Sequence, residues 1–351
     1  MIGLTPERIA EELQGYSARI TEGLQTLRRV GEIEAGVSPR DPVYREDKLT
    51  LYRYRPRAAE PSGVPLLIVY ALVNRPYMMD IQEDRSMIRG LLDAGLDVYL
   101  IDWGYPDAGD RTLTLGDYVH RYIGHCVDFL RERHRQDAVN LLGVCQGGAL
   151  SLCFSSLYPE KIRNLVTMVT PVDFHTPDNL LTHLIRHVNV DLLVDTFGNL
   201  PGGLLNFAFL SLSPFRLAGQ KYVDVVDILD DAEALKNFLR MEKWIFDSPD
   251  QAGEAFRQFA KDFFQQNKLV KGEVVIGDRR VDLGDATMPV LNVYATQDHL
   301  VPPAASKALA DRCGSRDYSE LSFRGGHIGI YVSGRAQREV PPAIAAWLLA
   351  R

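Results

Sequence analysis

The sequence contains no Cys-x-x-Cys pair, and its four cysteines, Cys126, Cys145, Cys153 and Cys313, are scattered. A local zinc or dithiol redox site is therefore not expected. No uninterrupted apolar run reaches the roughly 18 residues that a membrane helix needs. The opening stretch MIGLTPERIAEEL lacks the charged start and apolar core of a signal peptide. The expected location is the cytosol, with reduced thiols. Positive charge is not in excess either: the net charge is −7, which argues against nucleic acid as a partner, because phosphate binding wants a basic face. Histidine is sparse, and His120, His125, His134, His175, His183 and His187 show no metal spacing with carboxylates or thiols. His183 and His187 lie four apart on a possible helix, but no third ligand is evident, so a solvated or core role is expected. Neither metal nor cofactor is called for. Internal repeats and low-complexity segments are also missing.

What is present is an ordinary globular composition, 46% hydrophobic and 24% charged over 351 residues. That length suits one large domain with an insertion, or two domains. Residues 5–30 carry Ile9, Leu13, Ile20, Leu24 and Leu27 at helical spacing, with Thr5 placed as N-cap and Pro6 at the first helical position. VGEIEAGVSPRDP then reads as a linker.

Beyond it, strand and helix patterns alternate. KLTLYRYRP (48–56) reads as a half-buried strand. PLLIVYAL (65–72), DVYLIDW (97–103), VNLLGV (139–144) and NLVTMVTPV (164–172) are short apolar runs of the kind that parallel strands buried on both faces show. SMIRGLLDAG (86–95) and LGDYVHRYIGHCVDFLRERH (115–134) separate them as helices. The pattern predicts an α/β fold with a mostly parallel sheet covered by helices. The alternation breaks over residues 174–288, where helical stretches such as DAEALKNFLRMEKWIFD outweigh a single strand signal, GEVVIGDRRVDL. It resumes with PVLNVYATQDHLVPP (289–303), a helix near 304–312, the strand YSELSF and a final helix near 336–350. An insertion of this size is too long for a plain loop. The organisation expected is an N-terminal segment and linker (1–45), a core (46–173 and 289–351), and a cap (174–288) over the sheet's carboxyl edge, where α/β sheets bind ligands.

Gly143-Val144-Cys145-Gln146-Gly147 has the G-x-nucleophile-x-G form of a nucleophile elbow, with cysteine in place of serine. Small flanking residues let strand and helix approach across the sharp turn, hence Gly143 and Gly147, and Gly148 relaxes the packing further. The helix N-terminus favours the thiolate, the reactive form. A buried structural cysteine at a strand–turn–helix junction is the bland alternative. The context weighs against it. Asp298 follows the strand PVLNVYA, and His327 follows the strand YSELSF. The order nucleophile, acid, histidine and their placement at one sheet edge is that of an α/β-hydrolase triad.

His327 would take the Cys145 proton or pair with its thiolate, and Asp298 would hold the imidazole tautomer. Two backbone N–H groups would form the oxyanion hole: Gln146, directly after the nucleophile, and Val73, in the loop after an earlier strand. His299 adjoins Asp298 and is given at most a supporting role. Cys126, Cys153 and Cys313 fall in helical patterns and read as core thiols. Asp102 and Trp103 end a strand, where structural and functional roles are equally open.

A cysteine that attacks a thioester exchanges one thioester for another at little free-energy change. The acyl group stays activated for transfer to a hydroxyl or amine. A cysteine elbow beneath a large cap therefore suggests acyl transfer with water kept out.

GVCQGG, TQDHLVPP and FRGGHIGIYVSG resemble polyhydroxyalkanoate synthases, as do YREDKLTLYRY, PLLIVYALVNRPYMMDIQEDRS, VYLIDWGYPD, TMVTPVDFHTP and MEKWIFDSPDQAGE. The resemblance covers nearly the whole chain from about residue 40. With only a short segment ahead of the sheet, the chain looks most like the catalytic subunit of the two-subunit class III enzymes.

The resemblance implies an (R)-3-hydroxyacyl-coenzyme A substrate, typically 3-hydroxybutyryl-CoA, and a polyester chain held on Cys145 as a thioester. It implies His327 as activator of Cys145, and Asp298 either as support for His327 or as activator of the substrate 3-hydroxyl. It also implies a second, non-catalytic (PhaE-type) subunit, homo- or hetero-oligomerisation, and a cytosolic polyester granule surface. Two other readings remain to be weighed: a cysteine hydrolase or single-turnover acyltransferase on the same fold, and a non-catalytic binding protein.

Overall fold

The computed structural model describes residues 36–212, 225–229 and 231–351. The helix expected over residues 5–30 lies outside them. The core is an eight-stranded sheet: β1 (Arg40–Glu46), β2 (Leu49–Tyr54), β3 (Leu66–Val69), β4 (Val98–Asp102), β5 (Val139–Val144), β6 (Ile162–Met168), β7 (Val290–Ala295) and β8 (Tyr318–Phe323). The spatial order is β1-β2-β4-β3-β5-β6-β7-β8. The pairs β4–β3, β3–β5, β5–β6, β6–β7 and β7–β8 are parallel, and β2 joins β4 and β1 antiparallel.

The apolar runs of β3, β4, β5 and β7 are buried along their whole length. Their side chains alternate between two cores, as a period of two requires. Leu67, Val69, Leu141 and Leu165 point into one, and Leu66, Ile68, Leu142 and Val166 into the other. Helix α1 (Met87–Asp93), capped by the Ser86 side chain accepting from Arg89 N–H, covers the second face. Helices α2 (Gly124–His134) and α3 (Gln146–Leu157) cover the first. The helix expected over 115–134 opens as a wide π-helical stretch, Asp117–Ile123, before α2, and it ends where Arg135 turns left-handed at φ 53°.

Three elements differ from the sequence-based expectation. β1 occupies part of the stretch read as linker. It is an edge strand paired on one side only, with a register shift between Pro42 and Tyr44, and the sequence RDPVYRE shows no apolar run. Charged residues and proline are what edge strands tolerate and central strands do not. The helix expected near 304–312 spans only Pro303–Lys307. The strand signal in GEVVIGDRRVDL resolves into a minimal hairpin, Val275–Ile276 against Arg279–Arg280.

Between β6 and β7 the chain forms helices that include Val190–Phe197, Gly202–Ser211 and α4 (Ala232–Phe246). α4 starts on Asp231, whose carboxylate accepts from Glu233 and Ala234 N–H. Trp244 on α4 is buried in the core that Cys145 adjoins, whereas Ala252, Ala255, Phe259 and Phe263 join the opposite core. A final helix, α5 (Gly334–Leu349), packs on α1: a Cβ built on Gly90 would fall 2.7 Å from the Pro341 Cβ.

Candidate active site

β5 runs into Cys145, whose backbone lies at φ 53°, ψ −121°. A non-glycine residue in this region is strained, and such strain concentrates at functional sites. The turn is held from both sides. The Cys145 N–H donates to the Met168 carbonyl at 2.9 Å, and its own carbonyl accepts from Gly148 N–H at 2.9 Å. The three glycines are steric requirements. A Cβ on Gly143 would meet Gly148 Cα at 2.6 Å, and one on Gly147 would meet the Val69 carbonyl oxygen at 2.3 Å. One on Gly148 would meet Thr170 Oγ1 at 1.8 Å. Cys145 is half-buried.

The loop after β8 brings His327 to this turn. The imidazole is buried, its Nδ1 lies 2.6 Å from Asp298 Oδ2, and Cys145 is near enough to act on it electrostatically. Burial alone lowers its proton affinity. The Asp298 carboxylate and the Cys145 sulfur act the other way and hold it above the ordinary imidazole range. Asp298, buried on the loop after β7, has its second oxygen engaged as well: Oδ1 accepts from Leu300 and Val301 N–H, both at 2.9 Å. The two loops are laced by Thr296 N–H to the Phe323 carbonyl at 2.8 Å and Gln297 N–H to the Gly325 carbonyl at 2.9 Å. His327 and Asp298 are thus joined directly, and Cys145 lies beside the imidazole.

Gln146 opens α3, where first-turn N–H groups have no intrahelical partner. Its side chain reaches back to the loop after β3, and Oε1 accepts from Leu72 N–H at 3.0 Å. That bond sets the next residue, Val73, beside the same apolar cluster as Cys145.

The remaining candidates fall elsewhere. His299 is exposed where Asp298 is buried. His120 bridges the Tyr158 hydroxyl and the Ile276 carbonyl, both at 2.9 Å. His125 meets Glu46 at 2.9 Å, His134 meets the Tyr99 hydroxyl at 2.8 Å, and His175 meets the Phe264 carbonyl at 2.8 Å. His183 lies against the Pro177 carbonyl at 3.1 Å, and His187 follows its short helix. Among the described residues no group of three or more His, Cys, Asp or Glu side chains is placed to hold a metal ion, and no helix is long and apolar enough to cross a membrane. Cys126 and Cys153 are buried in α2 and α3, where burial pushes both thiols up, Cys153 to about 12; Cys313 is half-buried and also raised by burial. Asp102 binds Arg75 at 2.7 Å and Gly104 N–H at 3.0 Å, and the Trp103 indole donates to the Tyr70 carbonyl at 2.9 Å. Sequence reasoning does not reach Tyr331. Its ring stands edge-on 6.1 Å from His327, and its buried hydroxyl has no hydrogen-bond partner among the described residues.

The profile of the alpha/beta hydrolase fold matches residues 64–333, and that of the poly-beta-hydroxybutyrate polymerase (PhaC) N-terminus matches residues 10–91. The chain is 64% identical to the poly(3-hydroxyalkanoate) polymerase subunit PhaC of Allochromatium vinosum, covering 99% of this chain and 98% of that protein. It is 56% identical to the subunit of the same name from Synechocystis, covering 98% and 94% respectively. Among solved structures, a monoacylglycerol lipase of Paleococcus ferrophilus superposes with a TM-score of 0.56 at 18% identity, over 86% of this chain and 98% of the lipase, a likeness of fold.

Proposed function

The chain belongs to the PhaC family of poly(3-hydroxyalkanoate) polymerase subunits and has the α/β-hydrolase fold, and from that premise we propose that it polymerises (R)-3-hydroxyacyl-CoA, typically 3-hydroxybutyryl-CoA, through a thioester on Cys145. The observation that supports this most is the 2.6 Å contact of His327 with Asp298 beside a strained, half-buried cysteine at the elbow.

The chemistry runs in two transfers. His327, which holds the proton in the resting enzyme, pairs with the Cys145 thiolate as sulfur attacks the thioester carbonyl. The carbon–sulfur bond to coenzyme A breaks, a carbon–sulfur bond to Cys145 forms, and the proton leaves with the coenzyme A thiol. A 3-hydroxyl group then attacks the Cys145 thioester. An ester bond forms, the bond to Cys145 breaks, and the hydroxyl proton passes through His327. Gln146 and Val73 N–H groups stabilise the oxyanion in both transfers. Asp298 acts on His327 rather than on the substrate hydroxyl, because one of its oxygens is engaged by the imidazole and the other by two backbone donors. Within residues 174–288, the part that includes α4 serves as the cap that keeps water from the acyl-enzyme, whereas Ala252, Ala255, Phe259 and Phe263 pack in the opposite core. The relatives are named as subunits, which supports a second, PhaE-type chain as partner, with the assembly cytoplasmic and at the surface of a polyester granule.

The test is coenzyme A release from 3-hydroxybutyryl-CoA, with turbidity followed in parallel, for the wild type and Cys145→Ala, in the presence of the second subunit. Thiol release with insoluble polymer, lost in the variant, is expected. Thiol release without polymer would mark a hydrolase instead, and no release at all would reopen the binding-protein reading.

A further inference from the structure

The loop after β3, which carries Val73, is tied to the segment that ends α4. Asn74, left-handed at φ 61°, donates from its side-chain amide to Ser248 Oγ at 2.7 Å. The next residue's carbonyl, that of Arg75, accepts from the Trp244 indole N–H at 2.8 Å. Tyr77 donates its hydroxyl to Asp247 Oδ2 at 3.1 Å. Three ties therefore join Asn74–Tyr77 to Trp244–Ser248 across about 170 residues of chain.

The loop is gripped from its other side as well. The Arg75 guanidinium donates to Asp102 at 2.7 Å and to the Gly104 carbonyl at 2.9 Å, and it stacks over the Tyr105 ring at 4.2 Å. Tyr105 closes the circuit by donating to the free oxygen of the same carboxylate, Asp247 Oδ1, at 2.7 Å. Asp247 thus holds Tyr77 from the loop after β3 and Tyr105 from the loop after β4 with one side chain.

We propose that Asp247, with Tyr77 and Tyr105, is a positioning clamp that sets the Val73 N–H for the oxyanion, so that placement of the inserted segment controls the chemical step. This rests on the acyl-transfer reading above and on Val73 as a donor. The physical ground is that an oxyanion donor acts only if held in place before the charge develops. Val73 has the left-handed turn at Asn74 directly behind it, so a shift of Asn74–Tyr77 re-aims its N–H. The Cys145–His327–Asp298 contacts lie on other loops and do not pass through this circuit.

The experiment compares Asp247→Ala, the conservative Asp247→Asn and the near-isosteric Tyr77→Phe with the wild type, each assayed with the second subunit. Three quantities are read: kcat and KM for coenzyme A release from 3-hydroxybutyryl-CoA, the rate of Cys145 alkylation by iodoacetamide, and the thermal unfolding midpoint. A displaced donor predicts that Asp247→Ala lowers kcat by about 10- to 100-fold, short of the roughly 100- to 1,000-fold loss of a whole donor. KM and the alkylation rate should stay within about threefold, because alkylation forms no oxyanion. Asp247→Asn, which keeps an acceptor, should recover most of the activity, and Tyr77→Phe should lose part of it. Unchanged kcat in Asp247→Ala and Tyr77→Phe, or alkylation falling in step with kcat, would overturn the clamp. A wild type that is alkylated at Cys145 yet releases no coenzyme A would overturn the acyl-transfer reading and the clamp with it.

Discussion

Asp298 holds His327 with one carboxylate oxygen, at 2.6 Å, while two backbone N–H groups hold the other, at 2.9 Å each. The carboxylate is therefore locked before any substrate arrives, and the imidazole has one orientation available to it. The bond through Nδ1 leaves Nε2 as the nitrogen that serves Cys145 in the proposed transfer.

Asp298→Asn keeps the shape of this arrangement but removes the charge that stabilises a protonated His327. Coenzyme A release should fall by about 1,000-fold or more, as wrong-tautomer variants of such triads do. The unfolding midpoint should fall only by what the lost ion pair contributes at that pH, since amide and carboxylate are isosteric and the packing is kept. Steady-state release assays beside a melting curve check both halves. A variant that retains a tenth of the wild-type rate would show that the carboxylate is not needed for the imidazole's task.

His327 binds its proton more tightly in the folded chain than its ordinary value of 6.5. A raised folded value means the pair with Asp298 contributes stability that is complete below about 6.5 and is lost as pH rises through the folded value. The unfolding midpoint of the wild type should therefore decline from pH 6.5 into the alkaline range more steeply than that of His327→Gln. Scanning calorimetry of both proteins across that window measures it, and parallel declines would count against the shift.

Reactivity toward a neutral alkylating agent should single out Cys145. Burial raises the thiols of Cys126, Cys153 and Cys313, which leaves them protonated at neutral pH. Cys145 is half-buried and sits at a helix N-terminus beside His327. One fast equivalent of iodoacetamide is expected at pH 7, located on Cys145 by peptide mass spectrometry and missing from Cys145→Ala. Equal labelling of two or more cysteines would contradict this.

The elbow glycines should respond to alanine in two different ways. At Gly147 the obstacle is backbone, the Val69 and Tyr70 carbonyls at 2.3 and 2.5 Å from the added Cβ, so Gly147→Ala should cost about 3 kcal/mol or more, and no neighbouring substitution should relieve it. At Gly148 the two nearest atoms belong to the Thr170 side chain, so Thr170→Ala should restore part of the stability that Gly148→Ala loses. Denaturant unfolding of the single and double variants decides the matter through the coupling energy.

The central strands are legible in the sequence for a simple reason. A strand buried on both faces is apolar at nearly every position, so LLIV, VYLID and VNLLGV stand out as near-continuous runs. The elbow is legible too, because backbone at Gly147, backbone and side chain at Gly143, and side chain at Gly148 leave no room for a Cβ, and that constraint is written in the residues themselves. The position of Asp298 follows from its place after one such strand, β7, and that of His327 from its place after the edge strand β8. By contrast, β1 is an edge strand whose charged residues satisfy one ladder only, and its pattern matches a linker as well as a strand. The short helix Pro303–Lys307 likewise stops earlier than its residues suggest.

Distances between remote residues belong to the tertiary structure alone. The 2.6 Å contact of His327 with Asp298 joins two loops, and it depends on β7 and β8 lying side by side in parallel. The Tyr77–Asp247 and Trp244–Arg75 bonds join a core loop to the insertion across about 170 residues, and no local spacing encodes such a pairing. A sequence by itself determines which residues must be apolar, small or polar, because those demands act on one residue at a time. Which polar groups meet, and therefore which protons can move, is decided only when packing of the whole chain brings separate elements within hydrogen-bonding distance.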